Sequence, residues 1–233
     1  MATFLPTSEN QIKCVSTYTD FINTPFKDIN NAICWERKLE GNFLEIVEKI
    51  ELKENITVVD PIKLSKLTLS KEGEIARDLI LSDLKALKNH GASPTLNLIK
   101  NYMRDDVYPY FPTDVYSFHV DRSPVPTDTY LCTYYGASSD ILLNTQAEQK
   151  IHIPEIRNEL KTLYDGPEAG FNSFLSEHFF DLHYQAKLNS KPINLGLGHL
   201  WKLAVDYPGN KVLPCVHRAP KEKDGEYRLL LIC

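Results

Sequence analysis

The chain has 233 residues, of which 42% are hydrophobic and 24% are charged, values typical of a soluble globular protein. The net charge of −5 argues against general nucleic-acid binding, because the sequence has no basic block to neutralise phosphates. A chain of this length can bury a substantial core, so we expect one domain over residues 1–233.

The cysteines and the lengths of the apolar runs indicate the cellular compartment of the protein. The five cysteines have neither zinc-knuckle nor redox-pair spacing, and Cys132 and Cys215 fall in apolar runs, where buried thiols are expected. The N-terminus has no basic start followed by an apolar stretch, and no apolar run approaches the ~20 residues of a membrane span. We therefore predict a cytoplasmic protein with no membrane partner and no nucleic-acid partner.

Residues from about 30 to 112 have a mainly helical pattern. Apolar residues recur at helical spacing over 43–50 and again over 75–87, as expected for faces that pack on a core. Ser70 is a suitable N-cap for the second helix, and Gly91 is a suitable residue to follow its end. The helical part is thus expected to pack against the rest of the chain.

Residues from about 113 to 233 have a strand-rich pattern, interrupted by a helical insertion over about 153–180. Its two helices are expected to start near Pro154 and Pro167. The strands predicted in this part are 116–121, 129–135, 194–197, 201–205, 212–217 and 227–232, and one short strand, 56–60, is predicted between the helices of the N-terminal part. Short antiparallel strands preceded by helices favour an α+β fold with a jelly-roll, cupin-like core and helices packed against it.

His119-Val-Asp121 is the most informative local pattern in the sequence. Alternate side chains of a strand share a face, so His119 and Asp121 project together, about 7 Å apart along the backbone. Two histidines and one carboxylate form a typical site for divalent iron, and the distant His217 is the candidate third ligand. Because such a triplet is often only a hydrogen-bonded pair, the metal-site prediction depends on His217.

Arg228 follows His217 after a run of turn-forming residues. A turn centred between residues 222 and 223 would make a hairpin and set Arg228 opposite His217 on the same face. Leucines follow Arg228, so we expect a partly buried guanidinium that needs an anion. The anion is either a nearby Asp or Glu, or the distal carboxylate of a dicarboxylate such as 2-oxoglutarate.

His119, Asp121, His217 and Arg228, in this order, resemble the HxD…H…R pattern of the Fe(II)- and 2-oxoglutarate-dependent dioxygenases. The resemblance implies a double-stranded β-helix core. It also implies that the two histidines and Asp121 bind Fe(II), and that Arg228 binds 2-oxoglutarate. The implied reaction couples decarboxylation of the keto acid to oxidation of a substrate C–H bond.

One position departs from this family pattern. Many members have a hydroxyl residue two positions after the arginine that helps to hold the cosubstrate, and this chain has Leu230 there. We expect Tyr130 or Tyr134, on the strand after the HxD triplet, to supply that hydroxyl. If neither does, the identity of the cosubstrate is open while iron binding is not.

A second resemblance spans most of the chain from about Asn30. The segments 118–126, 128–136 and 216–220 are similar to an uncharacterised bacterial domain family, whose members share residues like Cys34-Trp-Glu-Arg37 near the start. This resemblance implies no established activity.

The leading functional prediction is an oxygenase that uses Fe(II) and 2-oxoglutarate to oxidise a small molecule or a protein side chain. One alternative is a metal-binding or ligand-binding jelly roll without oxygenase activity, and another is an interaction module whose helical half binds a partner. His178 and His183 are expected to be structural, while His199 is an outside candidate for a ligand or a substrate contact. Arg218 is expected to face away from the metal.

Overall fold

The structure is a computed structural model that describes residues 11–105, 107–108, 111–221, 223 and 225–233. Residue 222, at the centre of the predicted hairpin turn, lies outside the described residues. So does the N-terminal segment in which we found no basic start.

The described residues form helices α1–α6 and strands β1–β13. The helices are α1 Tyr18–Asn23, α2 Phe43–Lys49, α3 Pro61–Ser65, α4 Lys71–Asn89, α5 Pro154–Lys161 and α6 Phe171–Glu177. The strands are β1 Ile12–Val15, β2 Ala32–Trp35, β3 Ile56–Val59, β4 Thr95–Ile99, β5 Phe118–His119, β6 Asp128–Tyr135, β7 Asp140–Leu142, β8 Ala147–Gln149, β9 His183–Ala186, β10 Ile193–Asn194, β11 Leu200–Ala204, β12 Val216–Arg218 and β13 Arg228–Ile232.

The strands form two curled sheets, so the fold is mixed α+β and compatible with a β-sandwich or jelly roll. The first sheet has the strand order β1-β2-β11-β6-β13-β4-β3, and the second has the order β10-β7-β12-β5-β9-β8. Strand β1 runs parallel to β2, and the other neighbouring pairs of the described strands are antiparallel.

An apolar core lies between the two sheets. Leu131, Trp201 and Leu230 of the first sheet pack with Ile141 and Cys215 from the side of the second sheet. Trp201 is fully buried, and its Nε1 donates to the carbonyl of Leu195 at 2.9 Å, so the indole buries its polar atom without losing a hydrogen bond. This core holds the two sheets face to face.

The other face of the first sheet packs against the N-terminal helices. Ile80 and Leu87 of α4 join Leu229 and Leu231 of β13 in one buried cluster. The prediction for α4 is confirmed at its start, since the Ser70 hydroxyl accepts from the backbone N–H of Gly73 and caps the helix. None of the helices in the described part of the chain is long and apolar enough to cross a membrane.

The helical insertion builds its own core, in which Phe171 of α6 packs with Phe111 and Phe180. Helix α5 starts at Pro154, as predicted. Near Pro167 the chain first makes a 3-10 turn over Glu168–Gly170 before α6 begins at Phe171.

The N-terminal part predicted to be mainly helical and the strand-rich C-terminal part both contribute strands to the first sheet. Strand β13, at the end of the chain, lies between β6 and β4, and β4 precedes residue 113. The division near residue 112 therefore follows the sequence pattern but crosses the first sheet. The predicted strand over 212–217 is also shorter than expected, because Val216–Arg218 is the paired part and Pro214 lacks the N–H that a ladder needs.

Candidate metal centre

His119 and His217 stand side by side in the second sheet. Strand β5 pairs with β12, and the two histidines are direct partners across this antiparallel pair. Their neighbours Phe118 and Val216 point to the opposite face, into an apolar cluster. The sheet therefore turns both imidazoles toward the space between the sheets.

Asp121 lies just beyond the end of β5 and completes the group. Its carboxylate oxygens are 3.9 Å from Nε2 of His119 and 3.7 Å from Nε2 of His217. One ligand atom from each of the three residues lies within 4.8 Å of the others, so this group can hold a metal ion. Two atoms that bind one metal ion at about 2.0–2.2 Å lie up to ~4 Å apart. The three ligand atoms therefore need to move only slightly closer together to bind an ion.

The two histidines are held in the form that exposes Nε2. Nδ1 of His119 is 2.8 Å from the carbonyl of Ser117, and Nδ1 of His217 is 3.1 Å from the carbonyl of Cys215. A carbonyl can only accept, so each Nδ1 carries a proton, and the tautomer selected for a neutral imidazole is the one with the lone pair on Nε2. Hydrogen bonds of this kind orient metal-binding histidines.

The protonation states at the site also suit a metal. Burial, together with the charge of His217, lowers the pKa of His119 to about 4, although Asp121 acts in the opposite direction. Burial raises the pKa of Asp121, but the two histidines and a hydrogen bond from Thr129 outweigh it and leave the pKa below its ordinary value. At neutral pH the site thus has a neutral imidazole at His119 and a carboxylate at Asp121, the forms that bind metals.

Thr129 holds Asp121 from the opposite sheet, and sequence reasoning missed it. Its hydroxyl donates to Asp121 Oδ2 at 2.5 Å, across the space between the sheets. Strand alternation could have indicated this residue. Thr129 is two residues from Leu131, so both lie on the face of β6 that is turned toward the core between the sheets. This bond fixes the one metal-binding side chain that is not on a strand.

His183 is a fourth side chain beside the site, although we expected it to be structural. It is the direct partner of His119 across β5 and β9, and the two ring centroids are 5.9 Å apart. Its side chain faces the same side of the sheet as His119. The prediction rested on the five-residue spacing between His178 and His183, which does not suit two ligands on one helix. His183 instead begins β9, so the two histidines do not share a helix.

Arg228 does not form the predicted hairpin with His217. Strand β12 belongs to the second sheet, whereas β13 belongs to the first, where Arg228 pairs with Ile99. The hairpin prediction is therefore wrong. Its premise was that consecutive strands pair, but here the chain crosses from one sheet to the other between β12 and β13.

Arg228 nevertheless reaches toward the second sheet through the interior. Its guanidinium donates to the hydroxyls of Tyr102 at 3.3 Å, Thr133 at 3.1 Å and Ser139 at 2.8 Å. Ser139 is two residues before Ile141, which is the partner of His217 on β7. Two residues of extended chain span roughly 7 Å, so Ser139, which accepts from the guanidinium, is about that far along the chain from the partner of His217.

Tyr130 and Tyr134 do not lie at the site, and the expectation that one of them supplies the missing hydroxyl is wrong. Both belong to the cluster between the first sheet and the helices. The Tyr134 hydroxyl donates to Asp83 of α4 at 2.6 Å. The error arose because adjacent residues of a strand face opposite sides, and Thr129 and Thr133, not the tyrosines, face the interior of the sandwich.

Two further expectations concern residues outside the triad. Arg218 faces away from the metal-binding face, as predicted, and forms an ion pair with Asp140 at 2.9 Å. His199 is not brought to the triad, because its Nδ1 accepts from the backbone N–H of Arg37 at 3.1 Å.

Comparison with known proteins adds no relative. No protein-family model, no curated protein and no solved structure is significantly similar to this chain. The functional argument therefore rests on the geometry and chemistry of the site.

Proposed function

We propose that this protein is an Fe(II)- and 2-oxoglutarate-dependent oxygenase. The observation that carries the proposal is the group formed by His119, Asp121 and His217 in the interior of the sandwich. Two imidazoles and one carboxylate can bind one side of an iron ion and leave the opposite positions for a cosubstrate and oxygen. The hydrogen bonds at both Nδ1 atoms support this use, because they direct both Nε2 atoms toward Asp121.

The strand order supports a double-stranded β-helix as the core. The strands β4, β5, β6, β7, β10, β11, β12 and β13 form the order β11-β6-β13-β4 in one sheet and β10-β7-β12-β5 in the other. Along the chain, most successive members of this set alternate between the sheets, as in a ribbon that winds into two facing layers. In the full six-stranded sheet, β12 and β5 are the two central neighbours, and they carry the two metal-binding histidines.

Arg228 is the residue we assign to the distal carboxylate of 2-oxoglutarate. A planar guanidinium can bind a carboxylate through two parallel hydrogen bonds. The hydroxyls of Thr133 and Ser139, which hold Arg228, are close enough to contact the same carboxylate. We infer that they replace the hydroxyl that Leu230 lacks, since Leu230 packs in the apolar core.

Each residue of the site has a separate task in this proposal. The iron and the keto acid together supply the activation of oxygen and the oxidation of a substrate C–H bond. His119 and His217 present their Nε2 atoms as ligands from rigid strands, and Asp121 supplies negative charge. Thr129 keeps the Asp121 carboxylate oriented, and the apolar core between the sheets limits the access of water.

Anaerobic titration of the Fe(II)-loaded protein with 2-oxoglutarate tests the proposal. We expect a weak visible charge-transfer band that is absent in His119→Ala and that requires more keto acid in Arg228→Lys. His178→Ala changes an exposed histidine outside the site and is the matched control.

The alternative functions give different results in the same titration. Iron binding without a band at saturating 2-oxoglutarate would contradict the keto acid as cosubstrate and favour a metal-binding sandwich of another activity. No metal binding by the folded wild-type protein would contradict the metal site itself and favour an interaction module.

A further inference from the structure

A row of polar and basic side chains extends the metal centre along the second sheet, on the side opposite Arg228. His183 of β9 is the partner of His119, and Gln149 of β8 is the partner of Tyr184. Lys150, the residue after Gln149, therefore follows in line beside His183. Across the sheet, the order is Lys150, His183, His119 and His217.

His183 is buried, and one of its ring nitrogens lacks a hydrogen bond among the described residues. Its exposed fraction is 5%, and Nδ1 has no hydrogen-bonding partner among the described residues. One ring nitrogen of a neutral histidine is a donor and the other is an acceptor, so this side chain can both give and take a hydrogen bond. A buried polar atom that the protein does not satisfy is expected to meet its partner in a ligand or in ordered water.

Lys150 brings a positive charge to the same place. Its Nζ donates to the hydroxyl of Ser117 at 2.9 Å and lies 5.0 Å from the ring centroid of Phe111. Among the described residues, Lys150 forms no ion pair, and burial lowers the pKa of its ammonium group although Asp114 acts in the opposite direction. An ammonium group has three donors, so Lys150 can bind a further acceptor besides Ser117.

Phe111 contacts both groups and is the apolar side chain between them. Its ring centroid is 6.1 Å from that of His183, and its face is turned toward Lys150. Lys150 is also linked to a metal ligand, because the residue whose hydroxyl it contacts, Ser117, is the one whose carbonyl accepts from His119. The two donors and the apolar wall therefore adjoin the metal centre directly.

We propose that Lys150 and His183 form a subsite for an anionic group of the substrate, a carboxylate, held next to the metal centre with Phe111 as its apolar wall. The ammonium neutralises the charge, and the His183 N–H gives a directed second hydrogen bond. The assignment to the substrate rests on the proposed function. In that function Arg228 holds the cosubstrate on the β7 side of the triad, and the Lys150 side is left for the substrate.

Binding of phenylacetate and of phenylacetamide to the metal-free protein tests the subsite, because the two compounds have nearly the same shape but only the carboxylate is anionic and offers two acceptor oxygens. We expect phenylacetate to bind at least ten-fold more tightly, and to shift the side-chain ¹⁵N resonances of His183 in NMR spectra. Lys150→Met should remove this preference. Lys161→Met is the matched control, since Lys161 lies on the surface in an ion pair with Glu168.

The outcomes separate this proposal from the proposed function. Equal binding of acid and amide, or an unchanged preference in both Lys150→Met and His183→Phe, would overturn the subsite, whatever the metal site does. An equal loss of 2-oxoglutarate affinity in iron-loaded Lys150→Met and in Arg228→Lys would overturn its assignment to the substrate. If the charge-transfer band never forms but phenylacetate still binds through Lys150, the subsite stands and the oxygenase proposal fails.

Discussion

His119 and His217 are direct partners in an antiparallel pair of strands, and their ring centroids lie 4.6 Å apart. The ladder of backbone hydrogen bonds sets this separation, so two of the three metal ligands are fixed before any ion binds. Asp121 differs, because it lies beyond the strand and depends on side-chain contacts for its orientation. The site is thus rigid on its histidine side and adjustable at its carboxylate.

Thr129→Val is expected to weaken metal binding while the fold persists. The substitution keeps the size of the side chain but removes the hydroxyl that donates to Asp121 at 2.5 Å. Loss of a contact that orients a metal ligand typically costs about 10- to 100-fold in affinity. Competition between the protein and a chelating dye for Mn²⁺ measures the change. Thr127→Val, at an exposed position two residues earlier, should bind as the wild type does.

The stability of the metal-free protein is expected to fall as the pH drops below about 6.5, the ordinary value for histidine. Burial lowers the pKa of His119 to about 4 and that of His183 to about 3 in the folded protein. Between these values and 6.5 the unfolded chain binds more protons than the folded chain, so the free energy of unfolding decreases with falling pH.

Urea denaturation at a series of pH values measures this slope. His183→Phe removes one of the two groups and should give a shallower decrease between pH 6.5 and 4 (about the range over which these groups titrate). His178→Phe provides a comparison at an exposed position. Identical slopes for wild type and His183→Phe would show that His183 is not held neutral in the folded protein.

Asp83→Ala is expected to destabilise the protein by about 3–5 kcal/mol, because it leaves a buried guanidinium without its carboxylate. Asp83 accepts from both Nη atoms of Arg37, at 2.7 and 2.5 Å, and the two side chains are only 7% and 10% exposed. Chemical denaturation measures the loss. Asp78→Ala, which breaks an exposed pair with Arg77, should cost no more than about 1 kcal/mol.

Cys14 and Cys34 are expected to form a disulfide under mild oxidation. They are direct partners on parallel strands, and neighbouring strands are about 4.8 Å apart, within the usual Cα range of a disulfide. Interaction with the Cys34 thiol lowers the pKa of Cys14, which favours the reactive thiolate. Mass spectrometry after treatment with hydrogen peroxide should detect the loss of two hydrogen atoms, and Cys14→Ser should not show it. Continued alkylation of both thiols would contradict this expectation.

The structural features predicted correctly from the sequence are those that depend on residues close together in the chain. The Ser70 cap and the start of α5 at Pro154 follow from helix-end chemistry within a few residues. The common face of His119 and Asp121 was expected from strand alternation, and the two side chains do converge, although the paired strand ends at His119.

Contacts between the sheets could not be predicted in the same way. The hairpin rule for His217 and Arg228 assumes that consecutive strands pair, but the chain changes sheet between β12 and β13. The placement of Thr129 and His183 depends on which strands face or adjoin β5, and those partners are distant in sequence. A single sequence does not show which distant strands pair or face each other. For this reason Tyr130 and Tyr134 were predicted at the site in place of Thr129 and Thr133.

The position of β13 between β4 and β6 also orders events during synthesis. While the ribosome is still making the segment before Arg228, β4 and β6 each have an edge whose backbone hydrogen-bonding groups await this partner. Exposed strand edges promote association with other chains, so the nascent protein has reason to depend on chaperones until its last described strand emerges. We expect the first sheet to close only after residues 228–232 have been made, because its closure requires contacts between residues far apart in sequence.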